Sequence, residues 1–120
     1  MNVFTPAELA YLGGERRLAR AATVGADGTP HVTPVGMWNV TDDHTIEVTG
    51  HNFTKTKKFR DVTRTGRAAI VVDDVLPPWQ PRGVEVRGRA EAVDGPRPCI
   101  RIYPERVVSW GLDDPAGGQQ

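Results

Sequence analysis

The sequence predicts a mainly β domain, a small antiparallel barrel that is closed or split, with a plain sandwich as the competing architecture. Three observations carry this expectation. Six segments read as strands, most by alternating apolar and polar residues and one by an apolar run. Turn-forming runs such as "ADGTP", "TDDHT" and "GPRP" separate several of them. Helical signals are confined to two short segments, one at the start and one inserted after the third strand.

The elements follow in order. In "TPAELAYLGG", Thr5 can cap a helix, Pro6 suits its first position and Glu8 completes a T-x-x-E capping box. Leu9 and Leu12 share a face, and Gly13-Gly14 ends the element. "RLARAATVG" reads as the first strand, and Asp27-Gly28 as a turn. "HVTPVGMWNV" reads as one continuous second strand. Its alternation places His31, Thr33, Val35 and Met37 on one face, with Val32, Pro34, Gly36 and Trp38 on the other. Pro34 has no N–H for a ladder, so it marks an edge, a bulge or a place where backbone is exposed. "TIEVTG" is the third strand and completes an antiparallel meander.

A helix is expected from Thr54 to Thr63, with Phe59 and Val62 facing inward. "GRAAIVVDD" is apolar on both faces, which predicts a deeply buried fourth strand. "VLPPWQPR" reads as a proline-rich loop. "GVEVRGRAEAVD" is a long fifth strand with Val84, Val86, Gly88 and Ala90 on one face, and "CIRIYPERVVSWGL" a sixth, interrupted at Pro104. Residues 1–112 form one domain; residues 113–120, "DDPAGGQQ", read as a flexible tail without core residues.

Composition narrows the function. The formal net charge is zero and charged residues make up 25% of the chain, which excludes a chain-wide electrostatic grip on nucleic acid or membrane. Any anion site must be local. Cys99 is the only cysteine, so neither an intramolecular disulfide nor a cysteine metal cluster can form. No apolar run has membrane-spanning length, and "MNVFTPAELAYL" lacks the shape of a signal peptide. A cytoplasmic address is expected.

The charge pattern supplies the local site. Twelve arginines are spread along the chain, whereas all three lysines, Lys55, Lys57 and Lys58, fall within "TGHNFTKTKKFRDVTRTG". Cations at a helix start oppose the helix dipole by about 0.3–1 kcal/mol. No acidic residue in that turn offsets them, and Asp61 lies a turn further on. An anion would resolve the conflict, because free N–H groups, the dipole and the ammonium groups would then converge on it. Thr49, Thr54 and Thr56 add hydroxyls, and His51 and Asn52 add side-chain donors. The spacing is not that of a Walker loop. A solvated helix face is the alternative reading. Nucleic-acid binding through this helix is disfavoured, because one cluster offers few phosphate contacts and no exposed aromatic series accompanies it.

The segments "RLARAATVGADGTPHVTPVG", "TGHNFTKTKKFRDVTRTGRAAIVVDD", "PWQPRGVEVRGRAEAV" and "IRIYPERVVSWGL" occur in that order and cover nearly the whole chain up to Leu112. In them the sequence resembles the pyridoxamine 5′-phosphate oxidase-like superfamily, and within it the short actinobacterial group that depends on the deazaflavin coenzyme F420. The resemblance implies a six-stranded antiparallel split β-barrel with two short helices. It implies a homodimer with a flavin or deazaflavin in a groove at the dimer interface. It implies that Thr49, Thr54, Lys55, Lys57 and Lys58 hold the cofactor phosphate, and that the ring lies along Thr33, Pro34, Val35 and Gly36. His51 and Asn52 lie within the same cradle.

The sequence departs from true pyridoxamine phosphate oxidases. Their R-x-V-L-x-K strand motif is replaced by "HVTPVGMW", and their C-terminal arginine and histidine pattern is absent. Pyridoxamine oxidation is therefore not expected. The implied activity is hydride transfer between reduced F420 and a small conjugated substrate, with the cofactor performing the chemistry. FMN on the same fold, as oxidase or reductase, is the alternative, as is a flavin- or deazaflavin-binding protein without turnover. No catalytic side chain and no metal site are indicated.

The remaining polar residues carry weaker expectations. His31 reads as an ordinary strand residue and His44 as a surface turn residue. Asp73-Asp74 reads chiefly as a strand end. Trp79 is open between core packing and walling a ligand or dimer seam. Arg82 and Arg87 are open between the acidic tail of deazaflavin and pairing with Glu85 and Glu91.

Overall fold

In the computed structural model, which describes residues 3–112, the chain opens with α1 (Pro6–Gly13). The Thr5 hydroxyl accepts the Glu8 N–H at 3.1 Å, and the Glu8 carboxylate accepts the Thr5 N–H at 2.8 Å. The capping box expected from the sequence is therefore formed on both sides. Glu8 is buried, and its second oxygen accepts the Ser109 hydroxyl, which ties the helix to the far end of the chain.

Seven strands follow: β1 (Ala19–Val24), β2 (Pro30–Val35), β3 (Trp38–Val40), β4 (Ile46–Val48), β5 (Arg67–Leu76), β6 (Gln80–Val93) and β7 (Cys99–Trp110). They form one antiparallel sheet in the order β2-β1-β5-β6-β7-β4-β3. β2 and β3 occupy opposite edges, yet only Gly36 and Met37 separate them. Six inter-strand spacings of a flat sheet would span roughly 29 Å. The chain from Val35 to Trp38 reaches at most about 11 Å. The sheet must therefore curl until its edges approach, and the gap between β2 and β3 is the split of a half-barrel.

This corrects the reading of residues 31–40 as one strand in a three-stranded meander. The break at Gly36-Met37 raises the strand count from six to seven and resets the alternation. Val35 and Trp38 are both buried, and Met37 is 51% exposed. The corner is held from outside. Arg16 donates to the carbonyls of Gly36 (2.7 Å) and Trp38 (2.8 Å), and its guanidinium lies over the Trp38 ring. β2 pairs only with β1, so Pro34 stands on an edge strand, one of the places its missing N–H allows.

Two further expectations shift. The proline-rich segment 75–82 is mostly strand, because β5 and β6 stay paired to Leu76↔Gln80 and leave only Pro77, Pro78 and Trp79 at the turn. β6 has no β7 partner before Gly83, so Pro81 interrupts no ladder there. β7 runs through Pro104 without ending. Its register slips between Arg87↔Arg106 and Gly88↔Pro104, leaving Glu105 as the extra residue of a bulge.

The concave side of the sheet buries Ile46, Val48, Ile70, Val72, Val84, Val86 and Ile102 almost completely. Helix α2 (Lys57–Thr65) closes part of it with Phe59 and Val62, and Phe53 meets Phe59 edge-to-face at 5.8 Å. α2 begins three residues later than Thr54, because a single 3-10 turn (Phe53–Lys55) precedes it and Thr56 provides the cap. Gly66, at φ +70°, ends it as the left-handed residue that glycine adopts most readily. The expected tail lies outside the described residues.

Candidate functional site

The start of α2 lies beside β1 and β2. A groove of about 320 Å³ opens there, lined on the strand side by Thr23, His31, Val32 and Thr33 and on the helix side by Lys57 and Lys58. Chain segments more than twenty residues apart thus converge on one cleft whose polar side chains are two lysines, a histidine and two threonines.

Thr56 sets the helix start. Its hydroxyl accepts the Phe59 N–H at 3.3 Å and donates to the Phe53 carbonyl at 2.7 Å. The N–H groups of Lys57 and Lys58 precede the first intrahelical bond and have no partner among the described residues. On the strand side, the Thr33 hydroxyl oxygen is buried and without a hydrogen-bond partner. A buried polar atom normally finds a partner, and an orphaned hydroxyl beside this groove fits a ligand or ordered-water oxygen as that partner. Two ammonium groups, free helix-start N–H groups and an unpartnered hydroxyl fit an oxyanion.

Beneath the groove sits a carboxylate. Asp61, 4% exposed, accepts the Thr23 hydroxyl at 2.8 Å and His31 Nδ1 at 3.0 Å, both on Oδ2. Lys57 Nζ lies 3.6 Å from Oδ1. Burial alone would raise the Asp61 carboxyl. The hydrogen bonds from Thr23 and His31, together with the Lys57 charge, outweigh it and hold the group below the usual carboxylate range. The first turn of α2 holds no acidic residue, as expected, but Asp61 a turn further on reaches back to Lys57 through the i,i+4 spacing. Lys58 Nζ lies over the Phe53 ring at 5.6 Å, and no carboxylate pairs with Lys55 or Lys58 among the described residues.

The residues named from the sequence divide into two groups. Thr33, Lys57 and Lys58 line the groove. Pro34 and Gly36 are exposed along the same strand and its corner. Val35 points into the core, leaving only its backbone to face a ligand. Thr49 continues the β3–β4 ladder through its N–H to the Met37 carbonyl at 2.9 Å. His51 and Asn52 are exposed, Asn52 with φ +48°, and with Thr54 and Lys55 they occupy the β4–α2 connection without lining this groove. His31, expected to be ordinary, lines it; Asp61 was noted only as lying a turn beyond the lysines, and Thr23 was not singled out. The available signal was the Lys57–Asp61 spacing.

A second polar cluster lies where α1 meets the β5–β6 hairpin. Arg82 binds Asp74 with two hydrogen bonds, 2.8 and 3.0 Å, and the Tyr11 hydroxyl donates to Asp74 at 2.7 Å. Arg17 Nε stands 3.4 Å away, an ion pair rather than a hydrogen bond. Both guanidiniums lie over the Tyr11 ring, at 3.9 and 5.2 Å. The Arg82 hydrogen bonds hold the Asp74 carboxyl far below its usual range, and burial pushes the Tyr11 hydroxyl well above its own. Arg82 thus pairs with Asp74, and Arg87 with Glu85 of its own strand, neither across to Glu91. Trp79 is 76% exposed, so core packing is excluded for it. His44 is half-buried against Phe4 rather than a free surface residue. The Cys99 thiol is buried and pushed up by that burial, the opposite of an activated nucleophile.

Comparison with known proteins agrees with this architecture. A 5a,11a-dehydrotetracycline/5a,11a-dehydrooxytetracycline reductase of Streptomyces rimosus is 40% identical, over 92% of this chain and 84% of its own length. A conserved hypothetical protein of Mycobacterium tuberculosis superposes with TM-score 0.72 at 25% identity, over 92% of this chain and 86% of that one. An F420 reductase superposes with TM-score 0.63 at 22% identity, over 82% and 94%. Residues 5–113 match the family model described as pyridoxamine 5′-phosphate oxidase, and the chain belongs to that family.

Proposed function

We propose that the protein is an oxidoreductase that binds coenzyme F420 with its phosphate in the groove between β2 and α2, and that it passes a hydride between this cofactor and a small conjugated substrate. The observation that carries the reading is the convergence of Lys57, Lys58, free helix-start N–H groups and the unpartnered Thr33 hydroxyl on one cleft. The reductase relative at 40% identity supports the reaction class, and its dehydrotetracycline substrate supports a planar, conjugated acceptor.

Reduced deazaflavin supplies the hydride when bound. The chain's own residues bind and orient. Lys57 and Lys58 supply charge at the phosphate, and Thr33 supplies a hydroxyl. Thr49, His51, Asn52, Thr54 and Lys55 flank the helix start along the chain. Pro34 and Gly36 leave the strand edge open, and the backbone of Val35 lies between them, so a flat ring can lie along it. No side chain has to act as a nucleophile, in keeping with the inert Cys99 thiol.

The protein works in this reading as a cytoplasmic homodimer that completes the groove. Val32, Met37, Leu76 and Trp79 are apolar and exposed on the single protomer, and burying them in a second copy accounts for them. No helix of the described residues is long and apolar enough to cross a membrane.

Equilibrium fluorescence titration with F420 and, separately, with FMN tests the reading. Saturable F420 binding tighter than FMN supports it. FMN that co-purifies, with no saturable F420 binding, replaces F420 by FMN on the same site.

A further inference from the structure

We propose that His31 is a proton-linked contact of this anion site: when the groove binds a phosphate or sulfate oxyanion, His31 shifts toward its protonated form. The inference rests on the reading of the groove as an anion site and adds a residue and a pH dependence to it.

The argument begins at the buried carboxylate. Asp61 Oδ2 lies 3.0 Å from His31 Nδ1, and Asp61 is held ionised by its partners. An ionised carboxylate only accepts, so Nδ1 carries the hydrogen. A neutral imidazole has a single N–H. With that hydrogen committed to Asp61, Nε2 of the neutral ring is a bare lone pair, which an oxyanion would face unfavourably. Only the imidazolium presents an N–H at Nε2. His31 lines the groove with Lys57, Lys58 and Thr33, and with Nδ1 on Asp61 its Nε2 is the ring nitrogen without a partner among the described residues.

The ring packs over Gly25: a Cβ at that position would stand 2.6 Å from His31 Cε1, so a larger residue there would make the ring shift. The charged groups facing it are Asp61 and Lys57 of α2, Lys58 across the groove, and Asp27 of the β1–β2 turn. The two carboxylates favour the imidazolium and the two ammonium groups oppose it. An arriving anion adds to the favourable side. By linkage, protonation of His31 then strengthens anion binding by the same factor.

The test uses the full-length protein labelled with ¹⁵N and sulfate as the probe, an anion whose own charge is constant over the range in which imidazoles titrate, roughly pH 5–8. Imidazole ¹H–¹⁵N spectra are recorded through that range in sodium sulfate and in sodium chloride of equal ionic strength. The expected result is the Nδ1–H tautomer at high pH and a His31 midpoint that rises by about half a unit or more in sulfate, equivalent to about threefold tighter sulfate binding to the protonated form. His31→Gln should bind sulfate with little dependence on pH. Sulfate that shifts the Lys57 and Lys58 amides but leaves the His31 midpoint in place overturns this inference and leaves the anion site standing. Sulfate that moves none of them overturns both. An Nε2–H tautomer at high pH also overturns it.

Discussion

The double substitution Lys57→Ala with Lys58→Ala separates a binding helix start from a solvated one. If both ammonium groups contact a cofactor phosphate, each removes a charge-assisted hydrogen bond of about 1.5–3 kcal/mol. Each contact then costs about tenfold or more in affinity, and the pair more than either alone. The effect on folding works out differently. The Lys57–Asp61 pair is lost, but its lysine is 54% exposed, so it contributes only about 0.3–0.5 kcal/mol. Removing two cations from the positive end of α2 returns about 0.6–2 kcal/mol, at about 0.3–1 kcal/mol each. Stability should therefore hold or rise, by at most about 1.5 kcal/mol, while affinity collapses. Lys57→Ala alone should show the smaller loss of affinity. The assay is fluorescence titration with F420 at two salt concentrations, beside urea unfolding of the same variants. Raising salt should weaken wild-type binding more than that of the double variant. Unchanged affinity in the double variant would refute the reasoning and leave the lysines as a solvated face.

Three other outcomes are expected. Asp74→Asn removes the carboxylate shared by Arg82, Tyr11 and Arg17, and should cost about 2 kcal/mol of stability in urea unfolding at neutral pH. Because folding lowers the Asp74 pKa, its contribution is present above the usual carboxylate range and is lost as pH falls through its folded value. The gap between wild type and variant should therefore close in strong acid, and a gap independent of pH would count against the assignment. Gly88→Ala places a methyl group onto the Tyr103 carbonyl oxygen at the β6–β7 bulge and should lower the urea midpoint by about 1–3 kcal/mol in stability terms, whereas an unchanged midpoint would mean the bulge can relax. Sedimentation at micromolar concentration should give a dimer, and a monomer would remove the interface from the proposed site.

Local rules made much of this fold legible. The Thr5–Glu8 capping box, the inward pair Phe59 and Val62, and the alternation of Val84, Val86, Gly88 and Ala90 all depend on residues close in the chain, and all are found. The Gly36-Met37 corner was illegible because both flanking segments obey strand alternation. What breaks the strand is the curl of the whole sheet, together with an arginine twenty residues upstream in the chain. The same holds for "VLPPWQPR", where proline content suggested a loop. Pro81 is tolerated because β6 there has only one neighbour, a fact of topology rather than composition.

The candidate site follows the same division. Clustering of lysines is a one-dimensional signal, and it marks the start of α2. Which strand that end would face is three-dimensional, and it decides the chemistry. The first turn of α2 faces β1 and β2, so Lys57 and Lys58 look onto His31 and Thr33 rather than back along His51 and Asn52. Asp61 was noted only for its distance from the first turn, because a carboxylate between Phe59 and Val62 reads as the polar edge of an amphipathic helix. It is instead buried against β1 and β2, which is tolerable only because Thr23, His31 and Lys57 satisfy it. That requirement joins stability to binding. The group that lets α2 pack its carboxylate against the strands is the group that fixes the protonated nitrogen of His31 and draws Lys57 toward the helix. The cleft therefore presents less free charge than three lysines suggest, and more control over where a proton sits.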